Sequence, residues 1–152
     1  MEVSLSDRLR ALAKYEAIFM APDFVIGRWA GGTRDADGTI QMPWFDYSEE
    51  TRAFITDAYA NHWVVGFDWP GWARTPRGRR LLADPDLITT ASPDDLAHVL
   101  TVVIRSDRFS EGAVAGAHRT GLLTAIARRA SALNAGHRHD TGAPIEGRLD
   151  EG

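Results

Sequence analysis

Apolar residues at helical spacing dominate the first part of the chain. Leu5, Leu9 and Leu12 recur every three or four residues. Pro22 ends this run, because proline disfavours helical backbone in the residue before it. A second run with the same spacing follows over residues 54–63. Both patterns predict amphipathic helices, each with one face in a common core.

Start signals predict three more helices. Thr75-Pro76 joins a capping residue to a first-turn proline, which predicts a short helix over 76–83. The sequence SPDD at 92–95 has the residues of a capping box, ahead of an apolar stripe over 96–104. A last apolar face covers 122–133. The glycines ahead of it, Gly112, Gly116 and Gly121, predict either a close approach of helices or a break near Thr120-Gly121.

A smaller part of the chain has the alternating pattern of β-strands. Residues 24–29 form one predicted arm of a hairpin, DADG at 35–38 supplies the turn, and residues 40–44 alternate as in a half-buried strand. Pro43 cannot donate to a ladder, so this arm is expected at an edge. Residues 64–69 predict a third short strand. We therefore expect a mainly α (α+β) fold, a helical domain with a small antiparallel β element.

The domain organisation follows from length and periodicity. The 152 residues suit one globular domain over residues 1–133. Residues 134–152 lose the apolar periodicity and are predicted to form a flexible C-terminal tail. Charges interrupt the first twenty residues, and no stretch approaches 18 uncharged apolar residues. We therefore expect a cytoplasmic protein without a signal peptide or a membrane partner.

Composition narrows the chemistry. The chain has no cysteine, which excludes disulfides, thiolate metal sites and a cysteine nucleophile. No Gly-x-Ser-x-Gly elbow, phosphate-binding loop or dinucleotide fingerprint occurs. The histidines of HRHD at 137–140 lie in the predicted tail, and no other cluster completes a ligand set. We expect no metal site and no cofactor.

The segment RSDRFSEG at 105–112 is the first candidate site. Arg105 and Arg108 are interleaved with Asp107 and Glu111 between two apolar helices. As a functional site, the arginines would hold an anionic ligand and a carboxylate would act as base or ligand. As a structural feature, the carboxylates would cap the last helices and pair with the arginines.

Asp68 is the second candidate, because it lies between Phe67 and Trp69. Beside large aromatic side chains, burial would raise the pKa of this carboxyl group and suit it to proton transfer. Alternatively, Asp68 faces water or caps the turn at Pro70-Gly71, while the two aromatic side chains point inward.

Four arginines within seven residues form the third candidate: Arg74, Arg77, Arg79 and Arg80. Trp69 and Trp72 precede them, and basic residues beside aromatic ones are typical of single-strand nucleic-acid binding. The net charge of −4 argues against general nucleic-acid binding, so this partner is not favoured. The alternative is a solvated helix whose arginines balance nearby aspartates.

Three runs together resemble a bacterial domain family of unknown function. They are MPWFDYS at 42–48, FDWPGW at 67–72 and RSDRFSEG at 105–112, and the resemblance covers about residues 8–133. The family has a cysteine where this chain has Ser110, which counts against thiol chemistry. The resemblance implies a bacterial origin and one compact domain, and it supplies no activity.

The function is therefore open at this stage, including whether the protein is an enzyme. Our leading hypothesis is a small ligand- or protein-binding module with a polar centre of Arg105, Asp107, Arg108 and Glu111. Its partner would be a protein or a small anionic molecule. One alternative is an enzyme that uses Asp or Glu with Arg on an anionic substrate. The other is nucleic-acid binding through the arginines at 74–80.

Overall fold

The computed structural model describes residues 3–149, and it describes the side chains as far as residue 137. Over this range the chain is mainly α-helical with one two-stranded antiparallel sheet, as the sequence predicts. The elements are, in chain order, α1 (Leu5–Ala13), α2 (Tyr15–Met20), β1 (Gly27–Ala30), β2 (Trp44–Tyr47), α3 (Glu49–Ala60), α4 (Trp69–Arg74), α5 (Pro76–Ala83), a 3-10 helix (Pro85–Thr90), α6 (Pro93–Ser106), α7 (Ala113–Arg119) and α8 (Leu122–Leu149).

Short polar side chains fix where the helices begin. Ser48 caps α3 and Thr75 caps α5, each by accepting a hydrogen bond from a first-turn amide. Ser92 and Asp95 form the predicted capping box of α6, in which each side chain accepts from the other's backbone N–H. Such caps each contribute roughly 1 kcal/mol to helix stability. The starts of these helices are therefore set by local sequence.

The predicted hairpin is present, but its second strand lies later in the chain. β1 pairs with β2 in the register Gly27 with Tyr47 and Ala30 with Trp44. A single further bridge joins Arg34 to Ile40 near the turn. Residues 40–44 were expected to be half-buried, and this is wrong, because every residue from 31 to 44 is exposed. The outer half of the hairpin therefore extends into solvent.

The predicted third strand at 64–69 is wrong. Within the described residues this segment is a bend, and α4 begins at Trp69. The amide of Val65 donates to the buried hydroxyl of Thr101 at 2.9 Å, so a side chain takes the place of a strand partner. Asp68 then ends the extended run by capping α4. A tertiary hydrogen bond and a cap thus override the apolar pattern.

The core lies between α1, α2, α3, α6 and α8. Trp63 is fully buried, and its indole N–H donates to the carbonyl of Arg8 at 2.9 Å. The guanidinium of Arg8 lies 4.4 Å from the centroid of the Trp63 ring and donates to the carbonyls of Asn61 and His62. This arginine fixes the chain where it leaves α3. The largest fully buried side chains are Trp63, Phe54, Leu9, Leu12, Leu81, Ile88, Leu96, Leu100, Leu123, Ile126, Val99 and Val114.

The break predicted before the last helix is confirmed. Gly121 has φ +88 and separates α7 from α8. This left-handed backbone favours glycine, because it brings a Cβ too close to the next carbonyl oxygen. Helix α8 continues past the predicted domain boundary, and Asn134 is buried and accepts a 3.0 Å hydrogen bond from Ser6. Side chains from residue 138 onward lie outside the described residues, so the flexibility of the tail stays a prediction.

Candidate functional site

The base of the hairpin is fixed to the corner between α6 and α7. The hydroxyl of Tyr47 donates to Asp107 Oδ1 at 2.6 Å, and the amide of Val114 donates to the same oxygen at 3.3 Å. Asp107 therefore binds the end of β2 and the start of α7 at once. Burial raises the pKa of the Tyr47 hydroxyl, and the negative Asp107 carboxylate that accepts its hydrogen bond raises it further.

Glu111 makes the second contact with the hairpin. Its Oε2 accepts a 2.9 Å hydrogen bond from the backbone amide of Phe45. The next residue, Gly112, has φ +87 and precedes α7, and a Cβ built there would lie 3.6 Å from the ring of Trp29. The hairpin thus packs against a tight turn that favours glycine. We call Phe45, Tyr47, Asp107 and Glu111 the hairpin anchor.

Three aromatic rings are in contact at the anchor. Trp29 and Phe45 face each other across the strand pair with centroids 5.4 Å apart, edge to face. Phe45 and Tyr47 follow on the same strand at 4.8 Å. Edge-to-face and tilted contacts of this kind are favourable beyond the area that they bury. Two of the three sequence runs on which the family resemblance rests, 42–48 and 105–112, therefore meet at this junction.

The two arginines of the predicted polar centre do not pair with its carboxylates. Arg108 is exposed, and within the described part of the chain it has no ion pair and no side-chain hydrogen bond. Arg105 is half-buried, and its buried Nε has no hydrogen-bond partner there. Asp107 and Glu111 hold the hairpin instead. The structure brings the four residues to one corner, but it does not make them converge on one ligand.

Asp68 has a structural position as well. Its Oδ1 accepts from the amide of Gly71 at 3.1 Å and so caps α4. Phe67 and Trp72, from the same run, pack on a histidine of α6. Phe67 stacks on His98 with centroids 4.3 Å apart, and Trp72 meets His98 at 5.4 Å. Asp68, Asp107 and Glu111 each accept a structural hydrogen bond, and the enzyme hypothesis stays a prediction.

The arginine cluster lies on α4 and α5. Arg77 forms an ion pair with Asp95 of the α6 capping box. Burial alone would raise the pKa of Asp95, but hydrogen bonds from Arg77 and Ser92 hold that pKa below its usual range. The other three are exposed and have no ion pair among the described residues: Arg74, Arg79 and Arg80.

Within the described residues, no group of three or more histidines or acidic side chains is placed to hold a metal ion. In the run HRHD at 137–140, the side chains from residue 138 onward lie outside the described residues. No helix in the same part of the chain is both long and apolar enough to cross a bilayer.

The sequence reading missed the exposed apolar side chains around the anchor. We call residues 27–47 the hairpin arm. Met42 is 83% exposed, and Phe109, at the corner below the arm, is 81% exposed. Trp29, Ile40 and Trp44 are exposed as well. The run GGTRDADGT at 31–39 was the available signal, since nine residues without a large apolar side chain cannot cover the residues opposite them.

Fold and site together define a small, mainly α-helical domain with an anchored, solvent-exposed β-hairpin. The chain belongs to a family of unknown function, DUF6508, whose model matches residues 4–136. No curated protein and no solved structure matches it. The predicted resemblance to a family of unknown function is confirmed, and the family supplies no activity.

Proposed function

We propose that the protein is a protein-binding module, and that its contact surface is the hairpin arm with Arg108 and Phe109 beside it. The observation that carries the proposal is the exposure of large apolar side chains on the arm and beside it, among them Trp29, Met42 and Phe109. Exposed apolar surface forgoes about 25 cal/mol of burial energy per Å², which contact with a partner recovers. Grouped exposed apolar side chains are typical of interaction sites.

Charge indicates the kind of partner. At the base of the arm each carboxylate is engaged, because Asp46 pairs with Arg52 while Asp107 and Glu111 hold the hairpin. Arg28 and Arg108 are exposed and have no ion pair among the described residues. We therefore assign to the partner a segment with apolar side chains for the arm and at least one carboxylate for these arginines.

A second copy of the chain is the less favoured occupant. A two-fold symmetric contact through the arm brings the same surface of both copies together, so their unpaired arginines approach each other. Like charges at an interface oppose association.

The cysteine-free composition fits the cytoplasm, where we expect the partner to be found.

The anchor supports binding by holding the arm in place. A free two-stranded hairpin is marginally stable in water. The bonds Tyr47–Asp107 and Phe45–Glu111 fix its base, so less conformational freedom remains to be lost on association. On this proposal, Asp107 and Glu111 are positioning residues for the contact surface.

A peptide selection tests the proposal. The purified protein is presented to a displayed library of random peptides, and the enriched sequences are titrated against variants. We expect peptides that combine large apolar residues with Asp or Glu, and we expect M42S/W44S to weaken them at least tenfold. The matched control is Tyr59→Ser, which replaces another exposed aromatic side chain, on α3. Equal affinity for the wild type and M42S/W44S, or no enrichment, would contradict the proposal.

One observation supports a second candidate, nucleic-acid binding. Arg74, Arg79 and Arg80 are exposed and unpaired within the described chain. Against it, Trp72 packs on Phe67 and His98 and is not free to stack on a base. Titration with a short single-stranded DNA distinguishes the two functions. This candidate requires an affinity that falls steeply with salt and is lost in R74A/R79A/R80A.

A further inference from the structure

A second feature lies away from the hairpin arm, between the 3-10 helix and α8. A cavity of about 550 Å³ opens there, within the size range of small-molecule sites. One wall is Gly121 with the face of α8 from Thr124 to Ala132, and the other is formed by Pro85, Asp86 and Thr89. Small side chains on α8 make the groove deep, and its walls are mainly apolar.

Two arginines project from α8 into this groove. Arg128 is already neutralised, because its Nε donates to Glu16 at 2.8 Å. Arg129 differs: its Nε donates to the carbonyl of Ala91 at 2.8 Å, and it has no carboxylate partner in the described part of the chain. The guanidinium is therefore held at a fixed place while its terminal nitrogens are free to bind an anion.

The groove continues past Arg129. A second cavity of about 400 Å³ shares Arg129 and Ala132 with the first and is bordered by Leu5 and Leu9. From its first residue, Leu122, to Ala132, α8 rises about 15 Å at 1.5 Å per residue. The guanidinium of Arg129 thus lies beside a long apolar groove.

The acidic group of the groove stands at its far end. Asp86 is near the start of the 3-10 helix, whereas Arg129 binds Ala91 just beyond its end. At a rise of about 2.0 Å per residue these positions are roughly 10 Å apart. An anion at Arg129 is therefore well separated from the Asp86 carboxylate, while the apolar walls lie between the two.

We propose that this groove binds a medium-chain aliphatic carboxylate, with its carboxylate on Arg129 and its chain along α8. The charge at one end matches the guanidinium, and the chain runs from Arg129 over the face of Ala125 toward Gly121. This site is independent of the hairpin arm.

Decanoate is the probe, titrated by calorimetry below its micellar concentration. Decanol and decyltrimethylammonium have the same chain with no charge or the opposite charge. We expect decanoate to bind at least about tenfold more tightly than either, because a charge-assisted hydrogen bond is lost in both. Equal binding of all three would overturn the assignment of Arg129.

Variants separate the site from non-specific binding. Arg129→Met should weaken decanoate at least about tenfold, and Arg129→Lys less. Ala125→Phe fills the groove and leaves Arg129 intact, so it should abolish binding even if Arg129→Met disturbs the contact with Ala91. Arg108→Met, on the surface proposed for proteins, should leave decanoate binding unchanged. Decanoate binding that survives Ala125→Phe would overturn the proposal. A protein that forms a dimer through this groove and binds no decanoate would overturn it as well.

Discussion

The Tyr47 hydroxyl and the Asp107 carboxylate are sixty residues apart in sequence and 2.6 Å apart in space. Their bond joins the last residue of the hairpin to the residue that follows α6. Asp107 is thus neither a free acid nor the partner of a neighbouring arginine. It is the point at which the exposed arm is attached to the helical core.

The attachment predicts a coupled pair. Tyr47→Phe and Asp107→Asn should each lower the free energy of unfolding by about 1–2 kcal/mol, as expected for a partly buried hydrogen bond to a charged group. The double variant should cost less than the sum, by about 1 kcal/mol, because both changes remove the same bond. Urea denaturation measures all three. Tyr59→Phe is the control and should stay within about 0.5 kcal/mol of the wild type. Fully additive costs would show that the bond does not stabilise the fold.

Two glycines predict opposite effects of alanine. A Cβ at Gly78 would collide with the backbone carbonyl of Trp72, which cannot move aside easily. Gly78→Ala should therefore destabilise the protein by about 1–3 kcal/mol. A Cβ at Gly116, inside α7, meets nothing within 4 Å. Gly116→Ala should stabilise by about 0.5–1 kcal/mol, because alanine favours helix. Thermal melts of the two variants test this. A change in melting temperature of the same sign for both variants would refute this packing.

The buried hydroxyl of Thr101 predicts a large cost for a nearly isosteric change. It accepts from the amide of Val65 at 2.9 Å and donates to the carbonyl of Ala97 at 2.7 Å. Thr101→Val leaves the Val65 amide without its acceptor and should lower the free energy of unfolding by about 1–3 kcal/mol. Thr56→Val on the exposed face of α3 is the control. Hydrogen exchange at Val65 should also quicken, and an unchanged rate would argue against the bond.

His118 predicts a pH dependence. Burial against Phe19 and Phe24 lowers the pKa of its imidazole below the ordinary value of 6.5. Below that pH the unfolded chain takes up a proton that the folded chain does not, so the free energy of unfolding falls as the pH falls toward the folded pKa. His118→Phe should flatten this dependence, and it also removes the unpartnered Nδ1.

Melting temperatures between pH 7.5 and about 5 measure the effect of His118, since this range spans the ordinary histidine pKa of about 6.5. His62→Asn is the control, since His62 is exposed and asparagine tolerates its positive φ of 62. The control should keep the slope of the wild type. A slope that His118→Phe leaves unchanged would assign the pH dependence to other groups.

Much of the helical framework could be predicted from the sequence because its signals are local. Ser92, Asp95 and Thr75 act on amides within three residues, and Gly121 sets its own backbone angle. The misses have a non-local cause. Val65 finds its acceptor on α6, and Phe45 finds Glu111, which is 66 residues away. No periodicity within either segment encodes such a partner.

The candidate site was predicted in its residues and not in their roles. The run 105–112 was chosen for its charge density, and it does form the corner that holds the hairpin. Its carboxylates were expected to serve a ligand or to cap helices. Asp107 does bind a first-turn amide of α7, and the additional bonds to a tyrosine and a strand amide of the hairpin were not predicted. Met42 is exposed because no other described element packs over the arm. That depends on the rest of the fold and cannot be predicted from the sequence of the arm alone.

Site-specific photo-crosslinking in the native cells tests the central claim most directly. A photoreactive phenylalanine analogue replaces Met42 on the arm or, as the control, Tyr59 on α3, which is also exposed. The proposal predicts a discrete heavier product from position 42, absent from position 59 and diminished by Arg108→Ala. No product from position 42, or the same products from both positions, would contradict a binding role for the hairpin arm.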